Sequence, residues 1–331
     1  MVVKTTINFI PRTILQQLNQ QLIFTNYKSI NMQRRNFLRT TALTTSGLLL
    51  AQKEMLAALW QQPAFKITML TKDMGIFTEK GGTILFSLGK TGIVVVDAEF
   101  PEQSQHLIDE LKKQSDKPFE LLINTHHHAD HTSGNISFKG IVKNVLAHEN
   151  SLKNQKTVAI AQKTEDKQLY PDWTYGTVWN TKAAGEKYTM YYYGAGHTNG
   201  DSFVHFESPD IVHAGDLVFN RRHPFIDRTA GANISSWIKV LDKAMNKFDK
   251  NTTYVFGHAG DGYNVTGTKE DVKAFQTYLT NLLQYTAAQI KAGKSKDDIL
   301  KATEIPGSPE WKGDGIQRPL TAAYEELTAT T

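Results

Sequence analysis

In NTHHHADHTSGN, residues 124–135, four histidines and an aspartate fall within six consecutive positions. The residues leading into it, FELLIN at 119–124, have the apolar, β-rich character of a strand. In an extended chain His126 and His128 project to one side and His127 to the other. The stretch therefore reduces to the pattern H-x-H-x-D-H.

This pattern suits two adjacent cations. The strand end delivers two imidazoles to one point, and the turn that follows delivers Asp130 and His131 to a second. Imidazole and carboxylate are ligands that zinc and similar divalent metals prefer. A purification tag is a poor explanation, because the run is internal and interrupted, whereas a solvated loop remains an alternative for the motif taken alone.

Further ligands are expected downstream, because one motif cannot complete two coordination shells. Three later segments, YGAGHTNGDS, IVHAGDLVF and YVFGHAGDG, each follow or end an apolar stretch and carry His197, Asp216 and His258. Small residues in these segments allow the backbone to turn sharply or to approach a metal. Any one of these side chains could be structural, but four motifs in this order are far more specific.

Together with Asp97 in GIVVVDAEF, these motifs resemble the five motifs of the metallo-β-lactamase-fold superfamily, over roughly residues 65–262. The resemblance implies an α/β fold, a four-layer αβ/βα sandwich of two mixed sheets with helices outside and the metals at one edge. It also implies two metal ions per chain, with Asp216 bridging them. The first metal would be bound by His126, His128 and His197, and the second by Asp130, His131 and His258.

The chemistry implied is hydrolysis by a metal-bridging hydroxide, because a pair of metals ~3.5 to 4 Å apart lowers the pKa of a shared water to roughly 7. Asp130 is the expected proton carrier and hence the catalytic residue. Zinc is the expected metal, although the same donors suit iron or manganese. Asp97 is expected to orient a ligand rather than to bind metal.

The expected substrate is a small molecule with an ester, lactone, thioester or amide bond. The ligand set resembles those of glyoxalase II and of lactonases, but VFGHAGDG at 255–262 replaces the C-G-H-E context of glyoxalase II. The chain has no cysteine, which excludes β-lactamase subclasses that bind the second metal through cysteine, and the third subclass lacks a counterpart of Asp216. A β-lactamase-like or phosphodiesterase activity, or a non-catalytic exported metal-binding protein, are the alternatives.

The basic charge of the chain is concentrated near its start. Of a formal net charge of +4, residues 1–62 contribute seven Lys or Arg and one acidic residue, which leaves 30 basic against 32 acidic residues in 63–331. A slightly acidic hydrolase domain over 63–331 gives no support to nucleic-acid binding.

The leader, residues 1–62, contains MQRRNFLRTTALTTSGLLLA at 32–51, which resembles a twin-arginine export signal. The sequence thus predicts export through that machinery, most simply to the periplasm. A membrane-anchoring helix is the alternative, but the apolar run is shorter than the ~20 residues that span a bilayer.

Other segments predict the surrounding elements. A meander of antiparallel strands is expected from residue 65 to 96, a helix at 101–115, and a helical extension from about 268 with a capping box at Ser295 to Asp298. Polar residues beside the metal motifs are candidates for substrate contact, among them Arg221, Arg222 and His223.

Overall fold

The structure is a computed structural model that describes residues 65–329. The predicted leader, residues 1–62 with the signal core at 32–51, lies outside the described residues. Within residues 65–329, no helix combines the length and the apolar character needed to cross a membrane.

The first sheet has seven strands in sequential order. They are β1 (Lys66–Met69), β2 (Met74–Thr78), β3 (Ile84–Leu88), β4 (Ile93–Val96), β5 (Phe119–Asn124), β6 (Val142–His148) and β7 (Trp173–Tyr175). β1 to β4 form the predicted antiparallel meander, whereas β4 to β7 run parallel. Because parallel strands end at the same edge, the residues after β4 and β5 emerge side by side.

The second sheet has six strands in the order β15-β13-β11-β10-β9-β8, and a separate ribbon pairs β12 with β14. The strands are β8 (Val178–Ala183), β9 (Glu186–Tyr191), β10 (Phe203–Phe206), β11 (Ile211–His213), β12 (Phe219–Asn220), β13 (Thr253–Val255), β14 (His258–Ala259) and β15 (Thr266–Gly267). β11 and β13 are parallel, so the chain after each of them leaves at one end of this sheet.

Helices cover the outer faces of both sheets, apart from one short helix that lies at the sheet edge and carries Asp130 and His131. They are α1 (Pro101–Gln114), α2 (Ala129–Thr132), α3 (Glu149–Gln162), α4 (Ile234–Lys247), α5 (Lys269–Lys291), α6 (Lys296–Ile299) and α7 (Gln317–Thr328). The helix predicted at 101–115 is confirmed as α1, which begins with a proline at a position that needs no backbone donor.

The layering follows from the two-residue period of the strands. In β4, Val94 and Val96 pack in the core between the two sheets, whereas Ile93 and Val95 pack in the core beneath α1. All four side chains are fully buried, so the strand reads as a continuous apolar run. On the far side, Trp237 of α4 packs in a third core with residues of the second sheet. The predicted four-layer αβ/βα sandwich is confirmed.

Between residues 269 and 328 the chain forms α5, α6 and α7, in the region where a helical extension was expected. A complete capping box is present at the start of α5. The Thr268 side chain accepts from the Asp271 N–H, and the Asp271 carboxylate accepts from the Thr268 N–H. At Ser295 the predicted box is only half formed: the Ser295 hydroxyl accepts from the Asp298 N–H, but the Asp298 carboxylate accepts from that hydroxyl instead of from the Ser295 N–H. α7 is tied to α4 through Glu326, whose carboxylate accepts from the first backbone N–H groups of α4.

Candidate metal centre

The predicted ligands meet at one edge of the sandwich. His126 follows β5, Asp216 lies in the turn after β11, His258 begins β14, and His197 lies in the loop between β9 and β10. Each of these segments leaves the end of a strand, where small residues let the chain turn. The sheets thus bring together side chains that are more than 130 residues apart in the sequence.

Three histidines form the first cluster. Donor atoms of His126, His128 and His197 lie within 4.8 Å of one another. The Nδ1 atom of His128 faces the Nε2 atom of His197 at 2.8 Å. The rings of His126 and His128 are 4.8 Å apart between centroids and nearly perpendicular, so their nitrogens converge rather than stack. The same three residues were assigned to the first metal by the sequence resemblance.

The second cluster joins Asp130, His131 and His258, again with donor atoms within 4.8 Å of one another. The Oδ2 atom of Asp130 lies 3.0 Å from Nε2 of His258 and 3.6 Å from Nε2 of His131. His131 is fully buried, whereas Asp130 is partly exposed. One side of this cluster is therefore open for a substrate to approach.

Asp216 lies between the two clusters. Its Oδ1 atom is 3.1 Å from Nε2 of His131, in the second cluster. Its Oδ2 atom is 3.5 Å from Nε2 of His197 in the first cluster and 3.5 Å from Nε2 of His258 in the second. A carboxylate placed in this way can contribute one oxygen to each of two neighbouring cations.

The donor set fits divalent metals, because several of its buried polar atoms have no hydrogen-bond partner. Among the described residues these atoms include Nε2 of His126, Nε2 of His131 and Oδ1 of Asp216, the last two lying 3.1 Å apart without hydrogen-bond geometry. Buried polar atoms are almost always paired, and each unpaired one costs about 1–3 kcal/mol. Bound cations would satisfy all three atoms at once.

Electrostatic effects favour the neutral form of His126 and His197 and the charged form of the two carboxylates. Burial, with the neighbouring imidazoles, lowers the pKa of His126 well below its usual range and that of His197 to about 3. Both rings are therefore neutral at pH 7, the form that binds metal. Although burial raises the pKa of Asp216, His258 and His131 more than reverse this and hold it well below its usual range. Burial likewise raises the pKa of Asp130, but His131 and His258 bring it down to about 2, so both carboxylates are ionised.

A second set of contacts fixes the ligand rings from behind. Asp97 Oδ2 lies 2.8 Å from Nδ1 of His131, in keeping with the orienting role expected for it. His197 donates from Nδ1 to the backbone oxygen of Phe225 at 2.7 Å. The Oδ2 atom of Asp227 lies 2.9 Å from Nε2 of His128. Such partners set the ring orientation and raise the basicity of the metal-facing nitrogen.

Asp227 was not anticipated from the sequence. It lies in the irregular segment between β12 and α4, within FIDRTAG, which has no periodicity and no metal-ligand spacing. Its carboxylate is also held by Thr229 and by the Ala230 N–H. Although burial alone would raise its pKa, these bonds and the one to His128 lower it, so the group is ionised.

The middle histidine of the run, His127, lies outside both clusters. Its ring is buried behind His128, and its Nε2 atom is 3.8 Å from Oδ2 of Asp227, too long for a hydrogen bond. His127, His128 and Asp227 could hold an ion among themselves. However, Nε2 of His128 is already hydrogen-bonded to Asp227, and its Nδ1 faces His197.

We therefore expect opposite results from two neighbouring alanine substitutions. His128→Ala should lose the metal of the first cluster, because three protein ligands fall to two, whereas His127→Ala should retain it. Metal content of the dialysed proteins, measured by plasma mass spectrometry, decides this. His205→Ala, which removes an imidazole bound to Asp210 away from the centre, controls for general effects. Equal metal loss in both variants would contradict the prediction that His128 faces the metal and His127 faces away from it.

Asp227→Ala should weaken metal binding by the first cluster about 10- to 100-fold, because His128 loses the partner that fixes its ring. The measurement is competition for zinc with a chromogenic chelator. Asp242→Ala, an exposed carboxylate on α4, is the matched control and should bind zinc as the parent does. An unchanged zinc affinity in Asp227→Ala would show that packing alone orients His128.

Two glycines are required by the close approach of the backbone to ligands. A Cβ atom on Gly257 would lie 1.9 Å from Oδ1 of Asp216, and one on Gly82 would lie 2.1 Å from the ring of His131. Neither ligand is free to move away, because both are buried. These positions explain the small residues beside the ligand motifs.

A cavity of about 400 Å³ opens over the two clusters. Four ligands, His128, Asp130, Asp216 and His258, form its floor. This volume lies at the lower end of the range for small-molecule sites. A neighbouring cleft shares Arg222, His223 and Asp314 with it. Of the candidates for substrate contact, Arg222 and His223 line the cavity, whereas Arg221 lines only the neighbouring cleft.

Comparison with known proteins gives a consistent result. The family model described as the metallo-beta-lactamase superfamily matches residues 78–273. Metallo-beta-lactamase IND-1 of Chryseobacterium indologenes is 28% identical over 194 residues, which cover 56% of this chain and 76% of that protein. Metallo-beta-lactamase type 2 of Bacillus sp. (strain 170) is 26% identical over 229 residues, covering 66% and 86%.

Solved structures share the fold at lower identity. The stereoselective inverting sec-alkylsulfatase Pisa1 from Pseudomonas sp. superposes with a TM-score of 0.65 at 13% identity, over 80% of this chain and 50% of that one. A metallo-beta-lactamase from Pontibacter korlensis superposes with a TM-score of 0.56 at 21% identity, over 66% and 99%. At these identities the likeness concerns the fold alone.

Proposed function

Because this chain belongs to the metallo-beta-lactamase superfamily, whose members are metal-dependent hydrolases, we propose that it is a binuclear hydrolase of small esters, lactones, thioesters or amides. The position of Asp216 carries the proposal. Its two oxygens face donors of both clusters, at 3.1 and 3.5 Å, which supports two cations sharing one carboxylate.

The first cation would be held by His126, His128 and His197, the second by Asp130, His131 and His258, and both by Asp216. When bound, two divalent metals, most simply zinc, would lower the pKa of a water between them to roughly 7 and polarise the bond to be broken. The chain's own residues hold the ligand side chains in place. They enclose the metal centre on the side of the protein core and leave it open on the side of the cavity.

Asp130 is the proposed proton carrier. Hydrolysis adds water to the acyl carbon and breaks its bond to oxygen, nitrogen or sulfur, so one proton must move from the water to the leaving group. Asp130 is ionised, is partly exposed, and lines the cavity. A carboxylate in that position can accept the proton and release it on the same side.

The ligand set supports a glyoxalase II or lactonase type of centre, because all of its candidate ligands are histidines and aspartates and the chain has no cysteine. β-Lactam hydrolysis is the second candidate, favoured by the similarity to two proteins named metallo-beta-lactamases. Phosphodiesterase activity and non-catalytic metal binding are the remaining alternatives.

The test is a panel of lactones, thioesters, aryl esters, β-lactams and phosphodiesters, assayed with zinc-, iron- and manganese-loaded protein whose metal content is measured in parallel. We expect two metals per chain and turnover of an acyl substrate. Preferred hydrolysis of β-lactams would favour the second candidate. Two metals without turnover of any substrate would indicate a metal-binding protein.

Export to the periplasm is a separate proposal, supported by the twin arginine in the leader. Replacing Arg34 and Arg35 by lysine should leave the precursor in the cytoplasm, because that route requires the arginine pair. Fractionation and immunoblotting of a producing cell measure it, with Arg39→Lys in the same leader as the control. Unchanged export of the double variant would point to another route.

A further inference from the structure

The wall of the cavity is built partly by the C-terminal extension. Besides the metal ligands, its lining includes Arg222, which follows β12, and Arg318 at the start of α7. Arg318 lies beyond the residues matched by the superfamily model, which end at 273. The cavity therefore combines the candidate metal centre, which lies within the matched residues, with a side chain from the C-terminal extension.

The position of Arg318 is fixed by the packing of its segment. Ile316 and Leu320, on either side of it in sequence, are buried in the core beneath α4 and α5. Glu326, two turns further along α7, anchors that helix to the start of α4. Arg318 itself is exposed. The extension thus holds a free cationic side chain at the rim on a rigid support.

Arg222 and Arg318 differ from the other arginines nearby in lacking an anionic partner. Arg221 is paired with Asp271 at 2.6 Å, and Arg228 with Glu326 at 3.3 Å. No side-chain hydrogen bond or ion pair of Arg222 or Arg318 is found within residues 65–329. Since arginine binds carboxylates and similar anions through paired N–H groups, these two side chains are available for an external anion.

Beside the arginines lies an apolar surface. Phe225 lines the same cavity and is 45% exposed, more than the other phenylalanines within residues 65–329. Its ring is 5.3 Å from that of His128, measured between centroids, so it borders the first cluster. An exposed aromatic ring within a cavity is typical of a site that receives an apolar part of a ligand.

We propose that the substrate carries an anionic group, bound by Arg222 and Arg318, and an apolar segment that lies on Phe225. This inference rests on the proposed function. With the four lining ligands engaged by metals, the remaining charges of the lining are those two arginines and a single carboxylate, Asp314. The cavity therefore favours an anion over a neutral molecule of the same shape. A carboxylate, a sulfate or a phosphate would satisfy the same chemistry.

Two matched esters test the proposal on the metal-loaded protein. Mono-para-nitrophenyl glutarate carries a carboxylate where para-nitrophenyl pentanoate carries a methyl group. We expect kcat/KM to be at least about tenfold higher for the glutarate ester, since a charge-assisted hydrogen bond contributes about that factor. This preference should fall towards unity in the double variant Arg222→Ala/Arg318→Ala, and should decrease with added salt. Lys239→Ala is the control. Lys239 lies on α4 and lines neither the cavity nor the neighbouring cleft, so removing its positive charge should leave the preference unchanged.

The anion itself gives a second measurement that does not depend on turnover. Glutarate, methylsulfate and methylphosphate are titrated calorimetrically into the metal-loaded parent and double variant, and at least one should bind about tenfold more weakly to the double variant. That result without turnover of either ester would uphold anion recognition while counting against ester hydrolysis, one of the proposed activities. The inference would be overturned if the parent and the double variant showed the same ester preference. It would also be overturned if each of the three anions bound equally well to the parent and to the double variant.

Discussion

Asp216→Ala is expected to lower turnover at least ~10²-fold, a loss comparable to that seen when a key electrostatic group is removed from an active site. The reason is its position between the clusters, where its oxygens lie 3.1 Å from Nε2 of His131 and 3.5 Å from Nε2 of His197. Without this carboxylate, two cations would face each other with less compensation of their repulsion. The second cluster, left with Asp130, His131 and His258, should lose its metal first.

Asp216→Asn separates charge from shape, because an amide of the same size retains one oxygen ligand but carries no negative charge. Metal content and turnover are measured on both variants after loading under identical conditions, with circular dichroism to verify folding. We expect Asn to retain more metal than Ala and to remain well below the parent in turnover. Two metals per chain and near-parent turnover in Asp216→Ala would refute the bridging role and indicate a lactamase-like centre that needs no bridging carboxylate.

The metal ligands could be proposed from the sequence because strand geometry constrains them. His126 and His128 follow β5 and are two residues apart, so an extended chain is expected to direct both to the same side. Each later ligand follows an apolar strand and has small residues beside it, which marks the end of a strand at a sheet edge. These features are local in the sequence. Once the four-layer fold is expected, it follows that the ends of these strands, and the ligands beside them, lie at the same edge of the sandwich.

The rest of the site depends on tertiary packing. Asp227 reaches His128 across 99 positions, from a loop with no regular pattern. Arg318 reaches the cavity because the helical extension folds back over α4, and an arginine at the start of a helix is by itself an ordinary solvated residue. Arg221 and Arg222 are adjacent in the sequence and indistinguishable there, yet only Arg221 finds carboxylates at Asp271 and Glu310.

Asp97→Ala should cost about 3–5 kcal/mol in the free energy of unfolding, the range found when one partner of a buried ion pair is removed. Asp97 is fully buried and accepts from the Thr125 N–H at 2.8 Å and the Thr125 hydroxyl at 2.7 Å. Its Oδ2 atom also contacts His131. Although burial lowers the pKa of His131, the carboxylates of Asp216, Asp130 and Asp97 raise it well above its usual range. In the metal-free protein Asp97 is thus the partner of a buried cation.

The backbone conformation of Asp97 makes Asp97→Asn a useful second variant beside Asp97→Ala. Its φ of 65° lies in the left-handed region, which aspartate and asparagine tolerate better than alanine does. Asp97→Asn keeps the shape and an acceptor for Thr125 but turns an amide donor or a neutral oxygen towards His131. We expect a loss of about 1–3 kcal/mol for this variant, since one bond to a charged group is weakened.

Guanidinium unfolding of the chelator-treated proteins measures the free energies of unfolding of Asp97→Ala and Asp97→Asn, and zinc binding by the second cluster should weaken in the same order. Equal unfolding free energies for the parent and Asp97→Ala would show that neighbouring packing, rather than this carboxylate, holds the strand end and His131 in place.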